Sequence, residues 1–315
     1  MNRLVNILLV VFLGSLGYVA SVQAQESNDS HETYTEPSKK GMLNVASFNI
    51  LWDKYPKGYK QWELRKVEGI NIMERHNPDL IGGQEFFLNQ AEDMASALGF
   101  AYVAYGSNDG KSEAESPADK QTLNPIFYNP ERLEVLDRGV FWYSDKTDTP
   151  NRGYSTGSKI DNYNRFCVWA KFTKKDGSNK TFYVFNTHWS TDELVKKRTA
   201  VLMNKMMKEI AGEESIILAI GDFNSDEVRD DSYEIFLEQE TGLEFTDVQK
   251  TCKKHEGPNC SDSGLIVDSG KEFTVIVDHI FTHNVKKCIR YKVIADYKGK
   301  YYPSDHFPVM AVLKF

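Results

Sequence analysis

From residue 41 onward, short unbroken apolar runs alternate with stretches whose apolar residues recur every third or fourth position. The runs at 43–50, 80–83, 101–105, 166–172, 181–185, 216–220, 273–281 and 307–315 predict strands. Several of them, FCVWAKF and IILAI among them, are apolar on consecutive positions, which marks strands covered on both faces. Three helices are predicted between them. Leu64, Val67, Ile70 and Met73 form one stripe, stopped by His76-Asn77-Pro78. Ala91, Met94, Ala95 and Leu98 form a second, ended by Gly99. The third opens on Ser190-Thr191-Asp192-Glu193, an S-x-x-E capping box, and carries Val195, Leu202, Met206 and Ile210 on one side. Met203, Met206 and Met207 read as core filler. Asp176-Gly177-Ser178-Asn179 is a tight connection that predicts an antiparallel hairpin. Helices between some strands and hairpins between others imply an α/β (α+β) protein with mixed sheets flanked by helices. There is no internal repeat, so one domain is expected over residues 41–315.

The first 40 residues break this pattern. Arg3, the apolar run from Leu4 to Ala20 and the small-x-small site Val22-Gln23-Ala24 read as a secretory signal peptide, residues 1–24, with an uncleaved anchor as the competing reading. Residues 25–40 are polar and without periodicity, as in a disordered linker. A secreted or periplasmic protein is therefore expected. In that setting Cys252 and Cys260, in the polar stretch TCKKHEGPNC, are the natural pair to close a short loop. Cys167 and Cys288 lie in apolar segments and read as buried thiols. No Cys/His spacing suits zinc.

Composition narrows the classes further. A chain of 315 residues with 41% hydrophobic and 26% charged residues is a soluble globular protein rather than a disordered or fibrous one. Its net charge of −7 excludes binding of nucleic acid by bulk charge, though not a local basic groove.

The polar residues at the strand ends carry the chemistry. Asn49 ends VASFN, Gln84 and Glu85 end DLIGGQE, and Asn186 and His188 end FYVFNTH. Asp222 and Asn224 lie in GDFN, Asp278 and His279 in VDHIF, and Asp305 and His306 open the final strand. Strand ends on one rim are where α/β proteins build sites. Carboxylates and amide oxygens without thiolates are hard ligands, suited to Mg²⁺, Mn²⁺ or Ca²⁺. Histidines with separate aspartates suit proton transfer or an anion. Together they describe metal-assisted hydrolysis of a phosphate ester. Singly, each piece has a bland reading as a turn residue, a loop charge or a structural histidine. The weight lies in six pieces in a fixed order.

That order, SFNI (47–50), QE (84–85), NTH (186–188), GDFN (221–224), VDHIF (277–281) and SDHFPV (304–309), resembles the endonuclease/exonuclease/phosphatase superfamily over residues 43–315. The resemblance implies a DNase I-like four-layer sandwich, two packed mixed β-sheets flanked by helices, with the site at one rim. It implies Glu85 as principal metal ligand with Asn49, and Asp305 close to the metal. It implies Asp222 as the group that orients or deprotonates water, and Asn224 on a phosphoryl oxygen or a second ion. Asp278 would pair with His306, and His188 would contact the phosphate or protonate the leaving group. The segments at 124–144 and 164–172 resemble a general exported bacterial branch. Thr122 stands where that branch carries an acidic residue, and Trp189-Ser190-Thr191 where it carries Leu-Asp-His.

Arg165 and Asn186 are expected substrate contacts. The segments WDKYPKGYKQW (52–62) and DYKGKYYPSDH (296–306) interleave aromatics with lysines beside the site. They suit a stacking wall for single-stranded nucleic acid, an interfacial rim for a lipid headgroup, or plain exposed loops. The expected activity is a phosphodiesterase with nucleic acid as one candidate substrate. The alternatives are a sphingomyelinase-like or inositol-phosphate hydrolase and, third, a non-catalytic binding module. No stable protein partner is expected, and the chain reads as a monomer.

Overall fold

The computed structural model describes residues 38–154, 163–238 and 241–315. The expected signal peptide and the expected linker as far as residue 37 lie outside the described residues. No helix among the described residues is long and apolar enough to cross a membrane.

In chain order the first elements are β1 (Met42–Asn49), α1 (Trp62–His76), β2 (Leu80–Gln84), α2 (Leu88–Leu98), β3 (Ala101–Val103), β4 (Ile126–Tyr128) and β5 (Leu133–Trp142). Then come β6 (Phe166–Lys174), β7 (Thr181–His188), α3 (Glu193–Ala211), β8 (Ile217–Asp222) and α4 (Ser232–Leu237). The chain closes with β9 (Thr246–Asp247), α5 (Val248–Thr251), β10 (His255–Glu256), β11 (Asp278–His283), β12 (Lys287–Val293) and β13 (Val309–Lys314). They make a seven-stranded sheet, β10-β12-β13-β1-β2-β4-β3, and a six-stranded sheet, β5-β6-β7-β8-β11-β9. Both sheets are mixed. β1 runs parallel to β2 and antiparallel to β13. β7 runs parallel to β8, which is antiparallel to β11.

Strand alternation sorts the apolar side chains into layers. Leu43 and Val45 of the first sheet and Leu218 and Ile220 of the second enter one central cluster between the sheets. The next residues along, Ala46 and Phe48, face outward onto Ile72, Met73, Ala91 and Met94 of α1 and α2. Ile217 and Ala219 face outward onto Val195, Ala200, Met203 and Met207 of α3. The result is helix, sheet, sheet, helix. Each large apolar side chain so buried stabilises the fold by about 1.5–3 kcal/mol. At Gly82 a Cβ would come within 2.6 Å of Ile220 Cδ1 and 2.7 Å of Asn186 Oδ1, so only glycine lets the sheets approach there.

Several local expectations are corrected. On α1 the N-terminal half of the predicted stripe is corrected: Leu64 and Val67 are 68% and 63% exposed, while Met73 is buried and Ile70 packs against the core. Trp62, Arg65, Gly69 and Ile72 are buried beside Met73. On α3 the cap is Asp192, whose carboxylate accepts the N–H groups of Leu194 and Val195, while Ser190 Oγ accepts the N–H of Asp192. β11 begins only at Asp278, several residues later than expected. All four cysteines are free thiols, so Cys252 and Cys260 are not joined. Cys288 is only partly buried, and its thiol donates to Arg290 O with the Cys252 thiol close by.

Candidate active site

The parallel pairs β1–β2 and β7–β8 end on the same rim, and their antiparallel neighbours β13 and β11 begin there. That topology alone gathers Asn49, Glu85, His188, Asp222, Asp278 and the Asp305-His306 pair. The turn after β8 depends on Gly221. Its φ is 147°, and a Cβ there would sit 2.0 Å from Thr187 O. Glu85 and Asn224 hold left-handed φ values of 60° and 49°, strained positions for side chains with a Cβ. Strain of this kind persists only where surrounding contacts hold it.

Asp222 is the hub. Asn49 Nδ2 donates to its Oδ2 at 3.0 Å, tying the first sheet to the second. The N–H of Asn224 donates to its other oxygen at 2.9 Å, an Asx turn that shapes GDFN. His188 Nε2 lies 3.4 Å from Oδ2 and His306 Nε2 3.8 Å. Burial raises the Asp222 carboxyl to about 6, partly opposed by the charge of His306. A carboxylate so raised is a stronger base than an ordinary aspartate.

The two histidines differ. Burial alone would lower His306, but the carboxylates of Asp278 and Asp222 outweigh it and hold the imidazole well above its ordinary range. Its Nδ1 donates to Asp278 Oδ2 at 2.8 Å. Asp278 Oδ1 is buried with no hydrogen-bond partner. His188 is pushed well below its ordinary range by burial, then by Arg165 and His306, and so is neutral. The rim thus sets an imidazolium beside a neutral imidazole, a pairing suited to acid and hydrogen-bonding roles.

Glu85 supplies a different environment. Its carboxyl is raised by burial and then by Asp305, with His306 opposing, and its Oε2 accepts a long bond from the Trp52 N–H at 3.4 Å. Two carboxylates share this corner with little donor supply, a donor set that fits a hard divalent cation. Ligand atoms of Asp222, Asp278 and His306 also lie within 4.8 Å of one another, a second candidate cation group. The rim therefore offers two groups that could hold a cation, the Glu85–Asp305 corner and the Asp222–Asp278–His306 trio.

Beside Glu85 and His188 a cleft is lined by Trp52, Thr122, Asn124, Tyr163, Asn164 and Arg165. It leads to a broader groove lined by Trp52, Lys54, Tyr55, Trp62, Phe87 and Tyr163. Trp52 and Tyr163 meet edge to face, ring centroids 5.2 Å apart. The two aromatic-lysine segments touch each other through Tyr59 and Tyr301, stacked at 4.4 Å.

Asn186 is a correction. It is fully buried; its Nδ2 donates to Gly83 O and Pro125 O, and its Oδ1 accepts from Gln84. It is a strut between the sheets and out of a substrate's reach. His279, flagged with Asp278, is likewise internal: it holds Asp247 Oδ2 at 2.9 Å and Ser225 O at 3.0 Å. Sequence reasoning missed Arg65, whose guanidinium donates to Ile50 O, Leu51 O and Pro303 O on either side of the rim. Its only signal was a charged residue at a helix position one step off the apolar stripe. Asp262 was missed too; it pairs by a backbone bridge with His306, and burial raises its carboxyl.

A sandwich of two mixed sheets between helices, with acidic and imidazole groups along one rim, defines a DNase I-like protein. The comparisons agree. No family model matches the sequence. An endonuclease/exonuclease/phosphatase family protein from Bacteroides thetaiotaomicron is 28% identical, with a TM-score of 0.75 over 87% of this chain and 98% of its own. A mannosyl-6-phosphatase from the same species is 29% identical, with a TM-score of 0.74 over 87% of this chain and 100% of its own. An uncharacterised protein of Acanthamoeba polyphaga mimivirus is 28% identical over 287 residues, 87% of this chain and 99% of that one. These likenesses support the endonuclease/exonuclease/phosphatase superfamily as the group this chain is similar to.

Proposed function

We propose that this chain hydrolyses phosphate esters with the help of a divalent cation. The observation that carries the reading is the convergence of Asp222, His188 and the Asp278–His306 pair beside the Glu85–Asp305 corner. Glu85 and Asp305, with Asn49 adjacent, would hold the ion, which when bound neutralises charge on phosphoryl oxygen. Asp222, raised to about 6, accepts a proton from the attacking water, and Asn49 Nδ2 fixes the carboxylate that does so. His306, kept protonated by Asp278, answers the negative charge that grows on the phosphoryl group. His188 and Arg165 line the cleft where phosphate oxygens would lie. Asn224 Nδ2 donates to Trp189 O, so its role is to hold the turn that aims Asp222.

For the substrate we favour a sugar phosphate. The likeness to a mannosyl-6-phosphatase supports it, as does the Trp52–Tyr163 wall, since sugar rings pack on aromatic faces while flanking polar groups take their hydroxyls. Lys54, Lys60, Tyr55 and Tyr59 near the rim favour a second reading, a nucleic-acid strand laid across the groove.

The test is a screen of purified protein with Mg²⁺, Mn²⁺ and Ca²⁺ against aryl phosphate mono- and diesters, hexose 6-phosphates, sphingomyelin, DNA and RNA. We expect turnover of a sugar phosphate that EDTA abolishes, that added cation restores, and that His306→Ala lacks. Turnover indifferent to EDTA removes the cation from the reading. No turnover of any ester with any cation removes the enzyme.

A further inference from the structure

Outside the rim, one pair of reactive side chains is placed together by both the backbone and the side-chain contacts. β10 pairs in parallel with β12, His255 opposite Tyr291 and Glu256 opposite Lys292 (291 − 255 = 292 − 256 = 36). Cys252, the C-cap of α5, lies just ahead of β10, and α5 packs against β12, which carries Cys288. The N–H of Tyr291 donates to Lys254 O at 2.9 Å, which extends the pairing toward the cysteines. The Cys252 and Cys288 thiols neighbour one another, each donating to a backbone carbonyl, Lys254 O at 3.6 Å and Arg290 O at 3.3 Å, and both pack in the central apolar cluster or against it. Cys260 belongs to the same cluster, but its thiol neighbours Asp262 and Tyr302.

We propose that Cys252 and Cys288 are a disulfide site, closed when the folded chain meets a disulfide oxidant. Cys288 is the half-exposed partner and Cys252 the buried one, so the oxidant is attacked from Cys288. Deprotonated Cys288 displaces one half of the external disulfide as a thiolate and forms a mixed disulfide. Cys252, losing its proton to solvent, then displaces the second half. One intramolecular S–S bond forms, the oxidant's S–S bond breaks, and two electrons pass from the cysteines to the oxidant. Burial and the neighbouring thiol both push Cys288 upward, so the thiols persist until such an oxidant arrives. Export through residues 1–24, where expected, would bring the chain to one.

The bond bears on the rim. Downstream of Cys252 the chain reaches Ser261, whose Oγ accepts the N–H groups of Val277 at 2.9 Å and Asp278 at 3.2 Å. Ser263 Oγ then donates to Ser304 O at 2.6 Å, and its N–H to Asp305 O at 2.7 Å. Joining Cys252 to β12 pins the start of the segment that positions Asp278 and Asp305.

The experiment treats the full chain, purified reduced, with oxidised glutathione at mildly basic pH, then blocks thiols after unfolding and maps peptides without reduction. We expect a Cys252–Cys288 linked pair in the wild type and in Cys260→Ser, and none in Cys288→Ser. The oxidised wild type should melt at least about 5 °C above the reduced form, because the bond closes a loop in the unfolded chain. A Cys252–Cys260 link overturns the assignment, and so do four blockable thiols after oxidation. A melting temperature unmoved by the link overturns the clamp.

Discussion

Replacing Arg65 with methionine keeps a long apolar stem in the core and removes every donor the side chain carries. In the wild type those donors reach Ile50 O at 2.6 Å, Leu51 O at 2.7 Å and Pro303 O at 2.6 Å, and Nε reaches Lys60 O at 2.9 Å. Burial pulls the guanidinium down to about 10, opposed by Asp305, Asp53 and Glu85, so it remains charged at neutral pH. A hydrogen bond from a charged donor contributes about 1.5–3 kcal/mol, and three buried ones about 4.5–9 kcal/mol together. Removing a buried charge returns part of this, several kcal/mol by the usual desolvation cost, leaving a net loss of about 3–5 kcal/mol. For a domain of this size that lowers Tm by roughly 6–20 °C. Thermal melting by circular dichroism reads the effect directly. Ile50 and Leu51 follow Asn49 and Pro303 precedes Ser304-Asp305, so kcat should also fall about tenfold or more, measured well below the variant's Tm. Arg65→Lys, which restores charge without the fork, should fall between the two. An Arg65→Met protein that melts within about 2 °C of wild type and keeps full kcat would refute this account of how the rim is held.

Three further substitutions probe other parts of the fold. Asp278→Asn should cut kcat/KM by about 10²–10⁴ while leaving the protein folded, since His306 loses the charge that keeps it protonated; an unchanged rate and pH profile would sink the relay. Gly221→Ala should cost about 3 kcal/mol or more, or prevent folding, because its Cβ meets Thr187 O at 2.0 Å; a soluble variant with wild-type Tm contradicts it. Asp247→Asn should destabilise in a pH-dependent way. His279 is raised because Asp247's charge outweighs burial, so its share of stability is full below the unfolded pKa near 6.5 and fades as pH rises through the folded value. Asp247 is lowered, burial notwithstanding, by His279, so its share is full above about 3.9 and fades as pH falls through its folded value. The Tm gap between wild type and variant should therefore be widest between about pH 4 and 6.5 and narrow above it; a gap constant from pH 4 to 9 would count against the pair.

The central strands were legible because they are buried on both faces, and β1, β2, β6, β7, β8 and β13 were all found within a few residues of their observed ends. β5 and β12 were not predicted as strands. Their burial alternates weakly, and charged residues interrupt them, as in LEVLDRGVFW and KCIRYKV, so neither gives a clean apolar run. Chemistry-bearing residues were visible through position at strand ends, and the ends that carry Asp222, His306 and Glu85 meet at one rim. The same criterion misjudged Asn186, since a polar side chain at a strand end can face the opposing sheet as readily as the rim. Helix faces were the weakest inference. Leu64 and Val67 gave α1 its apparent stripe, but the clamp by Arg65 and the close approach of Gly69 to Ile50 decide which side turns inward. Neither signal is apolar.

The bond from Asn49 to Asp222 crosses the seam between the two halves of the sandwich. Asn49, Glu85 and Asp305 come from one half and His188, Asp222 and Asp278 from the other, so neither half holds a working set on its own. A chain caught midway through folding, with one sheet built and the other loose, is chemically silent however much native backbone it has acquired. Turnover therefore doubles as a readout of the last docking event, and its recovery during refolding should trail the recovery of secondary structure.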